Sequence, residues 1–139
     1  MTNVRFHNLP SLPKPPGYTH VVEAIGPGRL VYISGQLGQD RNGMLGADFR
    51  AQALQLFENL DAALRLVGAN FQHVVKLNNY LLDVRADLHT FREIRDRYVN
   101  TASPPAGTTI QVAALAREGA LLEVEAIALL PAQAAVAPL

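Results

Sequence analysis

The feature that most constrains this chain is a change of period at Asp48. From there Phe49, Ala53, Leu56, Phe57, Leu60, Ala63, Leu64 and Val67 recur at helical spacing, with Arg50, Gln55, Glu58, Asp61 and Arg65 mostly opposite. Asp48 is a suitable N-cap and Gly68 a suitable left-handed exit, so the spacing predicts one helix between them. A helix with a single apolar stripe must bury it against another layer.

The flanking sequence supplies that layer. Residues 30–34 (LVYIS), 74–82 (VVKLNNYLL), 108–115 and 121–130 are β-branched or apolar runs of strand length. Residues 18–24 add a further strand, stopped by Gly26-Pro27-Gly28, and residues 35–46 read as loop. Asp87 opens a second, shorter helix with Leu88, Phe91, Ile94 and Tyr98 on one side, broken by Ser103-Pro104-Pro105. The last two runs, joined through Gly119, predict a hairpin with a slightly long loop. The order β(β)β-α-β-α-β-β gives an α+β class in which helices cover one face of a mixed sheet. Around this domain, taken as residues 18–130, lie a proline-rich arm over residues 1–17 and a low-complexity tail over residues 131–139. Val4, Arg5 and Phe6 are placed as a short edge strand in the arm.

A sheet covered on one face leaves the other to be buried. Apolar residues make up 49% of the chain and charged ones 17%, against roughly 25% charged in an average soluble domain. Too little charge is present to wet all the surface of a small domain, which points to association of copies. Twelve basic residues balance twelve acidic ones, which argues against a surface that tracks phosphates and so against a nucleic-acid partner. No run approaches the roughly 20 apolar residues of a membrane span. The first residues lack an apolar signal core, so the expected location is the cytoplasm with no membrane partner.

Several chemistries are excluded. There is no cysteine, hence no thiol nucleophile and no thiolate zinc site. The four histidines, at positions 7, 20, 73 and 89, show neither HxH nor HExxH spacing, so no metal is expected. No GxSxG, GxxxxGK[ST] or GxGxxG is present. Two oddities remain. Glu123 and Glu125 share a face of the strand-like run LLEVEAIALL. A carboxylate there orients a water or moves a proton if it faces a cleft, or else marks the solvent face of an edge strand. Arg95 falls on the apolar side of the second helix. It projects a guanidinium into a pocket for a carboxylate, or packs its stem and snorkels its head to water. Ser34-Gly35-Gln36 ends a strand, where polar groups often line a site, and Tyr18 follows a Pro-Gly turn.

Taken together, Ser34-Gly35-Gln36, Gln52-x₆-Asn59-Leu60, Val67-Gly68-Ala69, Pro105-Ala106-x-Thr108 and EVEAIA at residues 123–128 resemble the Rid (YjgF) family of reactive-intermediate deaminases, also labelled L-PSP endoribonucleases. The resemblance runs over residues 18–130. It implies a chorismate-mutase-like fold, and a homotrimer whose sheets form a central barrel with helices outside and clefts between subunits. It further implies cofactor-free hydrolysis of imines or enamines to carbonyl products and ammonia. By the same resemblance Glu123 positions the attacking water, and Tyr18, Ser34 and Thr109 line the cleft. The family's carboxylate-binding arginine does not carry over, because its position holds Gly107. The family's asparagine on the second helix aligns with Arg95, which offers a guanidinium only if both positions face one cleft. A bidentate arginine–carboxylate contact contributes roughly 1.5–3 kcal/mol, so its loss weakens binding of small 2-imino acids by one to two orders of magnitude. The space at Gly107 suits a larger or uncharged ligand. The expectation is a divergent imine or enamine hydrolase acting on a small molecule. The alternative is a non-catalytic trimer that binds one, and an endoribonuclease is the third reading.

Overall fold

A computed structural model describes residues 3–132. The elements in chain order are β1 (Val4–His7), β2 (Val21–Ala24), β3 (Gly28–Gln36), α1 (Phe49–Leu66), a 3₁₀ turn (Phe71–His73), β4 (Val74–Leu81), α2 (Val84–Arg95), β5 (Ala106–Gln111) and β6 (Leu122–Pro131). β1 and β2 form their own antiparallel pair, and the other strands form one sheet in the order β3-β6-β4-β5. β6 is antiparallel to both of its neighbours, while β4 and β5 run parallel. This is the α+β class expected from the sequence. The expected tail lies outside the described residues from position 133 onward.

α1 forms where the period predicts it. The Asp48 carboxylate accepts from Ala51 N, and Gly68 turns out of the helix with φ +79°. Phe49, Ala53, Leu56, Phe57, Leu60 and Leu64 are buried against β4 and β6, whose Leu77, Leu81, Leu122, Val124, Ala126 and Ala128 point the same way. The Phe57 ring meets those of Phe71, Phe91 and Tyr98 with centroids 5.2–6.1 Å apart, tying both helices to the sheet. α2 begins earlier than expected, at Val84, because Asp83 and not Asp87 caps it by accepting from Ala86 N.

The expected hairpin does not form. β5 and β6 are not neighbours, since β4 lies between them. The connection from β5 to β6 spans residues 112–121, too long for a tight turn. β5 instead completes a strand–helix–strand crossover with β4 and α2, the usual way to join parallel strands.

Both helices pack on one face, and alternation along the strands sends the remaining side chains to the other. On that open face Leu30 and Tyr32 of β3 and Ile110 of β5 are exposed, Tyr32 to 72%. No helix among the described residues is long and apolar enough to cross a membrane.

Candidate functional site

The sequence-derived candidates fall into two groups on opposite sides of the sheet. Tyr18, Arg95, Gly107 and Thr109 line one cleft of about 300 Å³ between α2, the start of β5 and the turn at Pro16-Gly17. Ser34 and Glu123 lie on the open face, away from that cleft. Glu123 is opposite Tyr80 on β4, between the helix-facing Leu122 and Val124.

The cleft is built from several anchored pieces. Asn8 Oδ1 accepts from His20 N at 2.9 Å, and Leu9 N donates to His20 Nδ1 at 3.1 Å, folding the proline-rich arm back. Thr19, almost fully buried, donates its hydroxyl to Pro104 O at 2.5 Å and its amide to Pro105 O at 3.2 Å. These bonds hold Gly17 and Tyr18 over the entrance to β5. Arg95 ends α2, and its side chain is only 8% exposed, so its head does not reach bulk water. Its guanidinium lies against Gly17, where a Cβ would stand 2.0 Å from Nη2. Gly17 also has φ +81°, a region L side chains rarely adopt, so both its backbone and its missing side chain are needed. Arg95 Nε donates to the exposed Asp96 carboxylate at 3.0 Å. At Gly107 a Cβ would find Leu77 O at 3.5 Å and Tyr18 Cβ at 3.9 Å, ordinary contacts that leave room for ligand.

Two cleft residues escaped the sequence reading. Asn79 is 3% exposed and sits among the buried Leu77, Leu81 and Val124. Its Nδ2 donates to Thr109 Oγ1 at 3.0 Å, while its Oδ1 is buried without a partner. A polar residue between apolar ones two positions away on each side of a strand was the available signal. Arg92 is the other. It shares the cleft wall with Leu88 and Arg95, a spacing of i, i+4 and i+7 along one stripe of α2.

The open-face group is arranged around a β-bulge. Register between β3 and β6 slips by one residue between Ile33 and Gln36, at Ser34-Gly35. A Cβ on Gly35 would lie 1.9 Å from Glu123 Oε2, so the glycine lets the carboxylate rest on the strand backbone. Glu125, two residues on, accepts from the Tyr80 hydroxyl at 2.5 Å. That bond, then burial and the charges of Glu125 and Glu123, hold the Tyr80 phenol above its usual pKa. The loops beyond are pinned from α1. Gln52 donates to Gly46 O and Gly119 O and accepts from Leu121 N, and Asn59 donates to Leu37 O and Gln39 O. The spacing Gln52-x₆-Asn59 thus fixes both strand ends that frame Glu123.

No group of three or more His, Asp or Glu among the described residues is placed to hold a metal. The family model for endoribonuclease L-PSP matches residues 13–130. The chain belongs to this family, the Rid (YjgF) proteins. Among its relatives, the Myxococcus xanthus protein DfrA is 38% identical over 113 residues, 80% of this chain and 83% of that one. The human 2-iminobutanoate/2-iminopropanoate deaminase is 35% identical, covering 73% of each chain. Of solved Rid structures, YyfB from Yersinia pestis superposes with a TM-score of 0.79 at 33% identity, over 93% of this chain and all of that one. RidA from an Antarctic Psychrobacter has a TM-score of 0.69 at 37% identity, over 79% and 88%. The Rid fold is therefore that of the chorismate-mutase-like α+β proteins, as the resemblance implied.

Proposed function

We propose that this Rid-family chain hydrolyses an imine or enamine at a cleft shared between copies, with Glu123 positioning the attacking water. The observation that carries this reading is the seat of Glu123, a carboxylate held on the bulged end of β3 by the absence of a side chain at Gly35. A carboxylate placed so can accept a proton from water as oxygen adds to the imine carbon. Glu123 returns that proton to nitrogen to give the carbinolamine, whose hydroxyl proton then passes to nitrogen as the C–N bond breaks, releasing ammonia and leaving the carbonyl compound. Water and imine become carbonyl and ammonia with nothing oxidised or reduced, so no cofactor is required.

Within one chain, Glu123 and the cleft at Gly107 are on opposite sides of the sheet. A trimer that covers the open face with its neighbours brings the Glu123 of one copy to the cleft of the next. The exposed Leu30, Tyr32 and Ile110 on that face support such a covering. Tyr18 and Thr109 then line the cleft, and Ser34 flanks the water. With Gly107 in place of an arginine, small 2-imino acids are poor substrates.

Trapping of imines by semicarbazide, with the imines generated by an amino-acid oxidase, tests this reading. Wild type is expected to be slow on the imine of alanine, and Gly107→Arg to be faster. Glu123→Gln is expected to lose at least about a hundredfold in turnover of any imine the wild type hydrolyses. Full activity in Glu123→Gln overturns the reading. Binding without turnover of any imine favours the alternative, a ligand-binding trimer, for which the loss of the family arginine at Gly107 is the observation in its favour. The balance of twelve basic and twelve acidic residues gives the ribonuclease reading no support.

A further inference from the structure

The cleft contains more positive charge than one carboxylate needs. Arg95 is 93% buried by residue, and its charged neighbour is Asp96, bound through Nε alone. Its terminal nitrogens have no hydrogen-bond partner among the described residues. Arg92, half-buried one turn earlier, has no ion pair or side-chain hydrogen bond among the described residues. No aspartate or glutamate lines the cleft; its other walls are apolar or neutral, from Leu77, Leu88, Tyr18, Asn79 and Thr109.

Arg95 has one counter-charge, taken up at Nε, and Arg92 beside it has none among the described residues, so a buried guanidinium with unbonded terminal nitrogens next to a second cation is costly unless a ligand supplies the missing anion. Attraction to the C-terminal end of the α2 dipole explains basic residues in the last turn, but a surface position satisfies that equally well. What sets these two apart is that both face a cavity and that the Pro16-Gly17 turn is shaped to receive one of them. Three residues apart on a helix, their Cα atoms are separated by about 4.5 Å of rise, so two anionic groups can be met along one wall. A cleft of about 300 Å³ is at the small end of metabolite-sized sites.

We infer that the α2 wall of this cleft binds a dianion: a short dicarboxylate carrying the imine or carbonyl group between or beside its acid groups, clamped by Arg92 and Arg95. This rests on the reading of the cleft as the substrate site. It explains why the edge strand can dispense with a side chain at Gly107, since the anion is now held from the helix. Asn79, beside the clamp, then offers its spare amide oxygen toward an N–H or O–H of the ligand.

The test is equilibrium binding by calorimetry of the intact protein to 2-oxoglutarate and to 2-oxopentanoate, which share a ketoacid and differ in the second carboxylate. Wild type is expected to bind the dianion at least tenfold more tightly. Arg92→Gln and Arg95→Gln are each expected to cut that preference severalfold, and the double variant to abolish it. Arg92→Lys is expected to retain part of it as a point charge. Unliganded melting temperatures show that the variants fold. Equal affinity for the two ligands overturns the inference. So does a preference that survives the double substitution, or no binding of 2-oxoglutarate at millimolar concentration. The hydrolase reading is judged separately by turnover. Dianion binding without imine hydrolysis sinks that reading and keeps this one, whereas imine hydrolysis without dianion preference does the reverse.

Discussion

The two sides of the sheet each hold a charged head seated on a glycine, but the surroundings differ. On the helix side the Arg95 guanidinium rests on Gly17 inside a cleft completed by the chain's own arm. On the open side the Glu123 carboxylate rests on Gly35 at a bulge, amid apolar residues left exposed among the described residues. The first side is finished by intramolecular packing. The second has its geometry prepared while its apolar residues stay exposed among the described residues, and these are what the proposed association of copies would bury.

The largest difference between the sides is in what their apolar residues support. Leu56 is fully buried under the helix layer, and Leu56→Ala is expected to cost about 2–5 kcal/mol of stability. Tyr32, 72% exposed, adds little packing among the described residues. Tyr32→Asp is expected to leave the folded protomer's secondary structure unchanged while lowering its oligomeric state in sedimentation. A Tyr32→Asp protein that sediments like wild type breaks the comparison.

The two glycine seats give the next effect. Gly17→Ala must place a Cβ at a positive φ and displace a guanidinium, so it is expected to cost about 1–2 kcal/mol for the backbone alone and to weaken anion binding. Gly35→Ala meets the flexible Glu123 side chain, with a Cβ 1.9 Å from Oε2, 2.7 Å from Cδ and 3.0 Å from Cγ. It is expected to cost about 1 kcal/mol, the low end for overpacking, because the carboxylate can swing away. Its effect falls on turnover instead, because a carboxylate moved by about an ångström positions water poorly. Denaturant midpoints and imine-hydrolysis rates on both variants separate the two. Equal losses of activity and stability at both positions would remove the distinction between seats.

Much of this was legible in the sequence. The period of α1, its N-cap at Asp48 and left-handed exit at Gly68, and the alternation of Glu123 and Glu125 within an apolar strand are local signals, and the structure follows them. Arg95 on an apolar stripe was likewise visible, and its two readings differed only in where the head ends up. The failures are non-local. Periodicity says which face a side chain takes but not which strand lies alongside, so β5 and β6 read as a hairpin although β4 separates them. The bulge at Ser34-Gly35 is a register slip between two strands, invisible in either one alone. Arg92 was passed over because a basic residue one turn from the end of a helix is ordinary until a cavity is seen beside it.

The smallest effect uses two tyrosine–carboxylate pairs, one on each side. Tyr98 donates to Glu58 at 3.0 Å across the helices, and Tyr80 donates to Glu125 at 2.5 Å on the open face. Burial first, then the Glu58 bond, pushes the Tyr98 phenol up to about 12. An unfolded tyrosine loses its proton near pH 10. Between those values the native chain holds a proton that the unfolded chain has released, so this contribution is full below pH 10 and is lost as pH rises toward 12. Tyr98→Phe should flatten that part of the stability–pH curve. Tyr80 is also raised, but there the hydrogen bond to Glu125 outweighs burial. Covering the open face adds desolvation to Tyr80 and none to Tyr98, so association should raise the Tyr80 pKa further. Carbon-13 shifts of the tyrosine ring followed through alkaline titration compare wild type with the dissociated Tyr32→Asp chain. The expected result is a lower Tyr80 pKa in the dissociated chain and the same Tyr98 pKa in both. If Tyr80 titrates identically in both, the open face carries no cover at that strand, and the site on Glu123 must be assembled some other way.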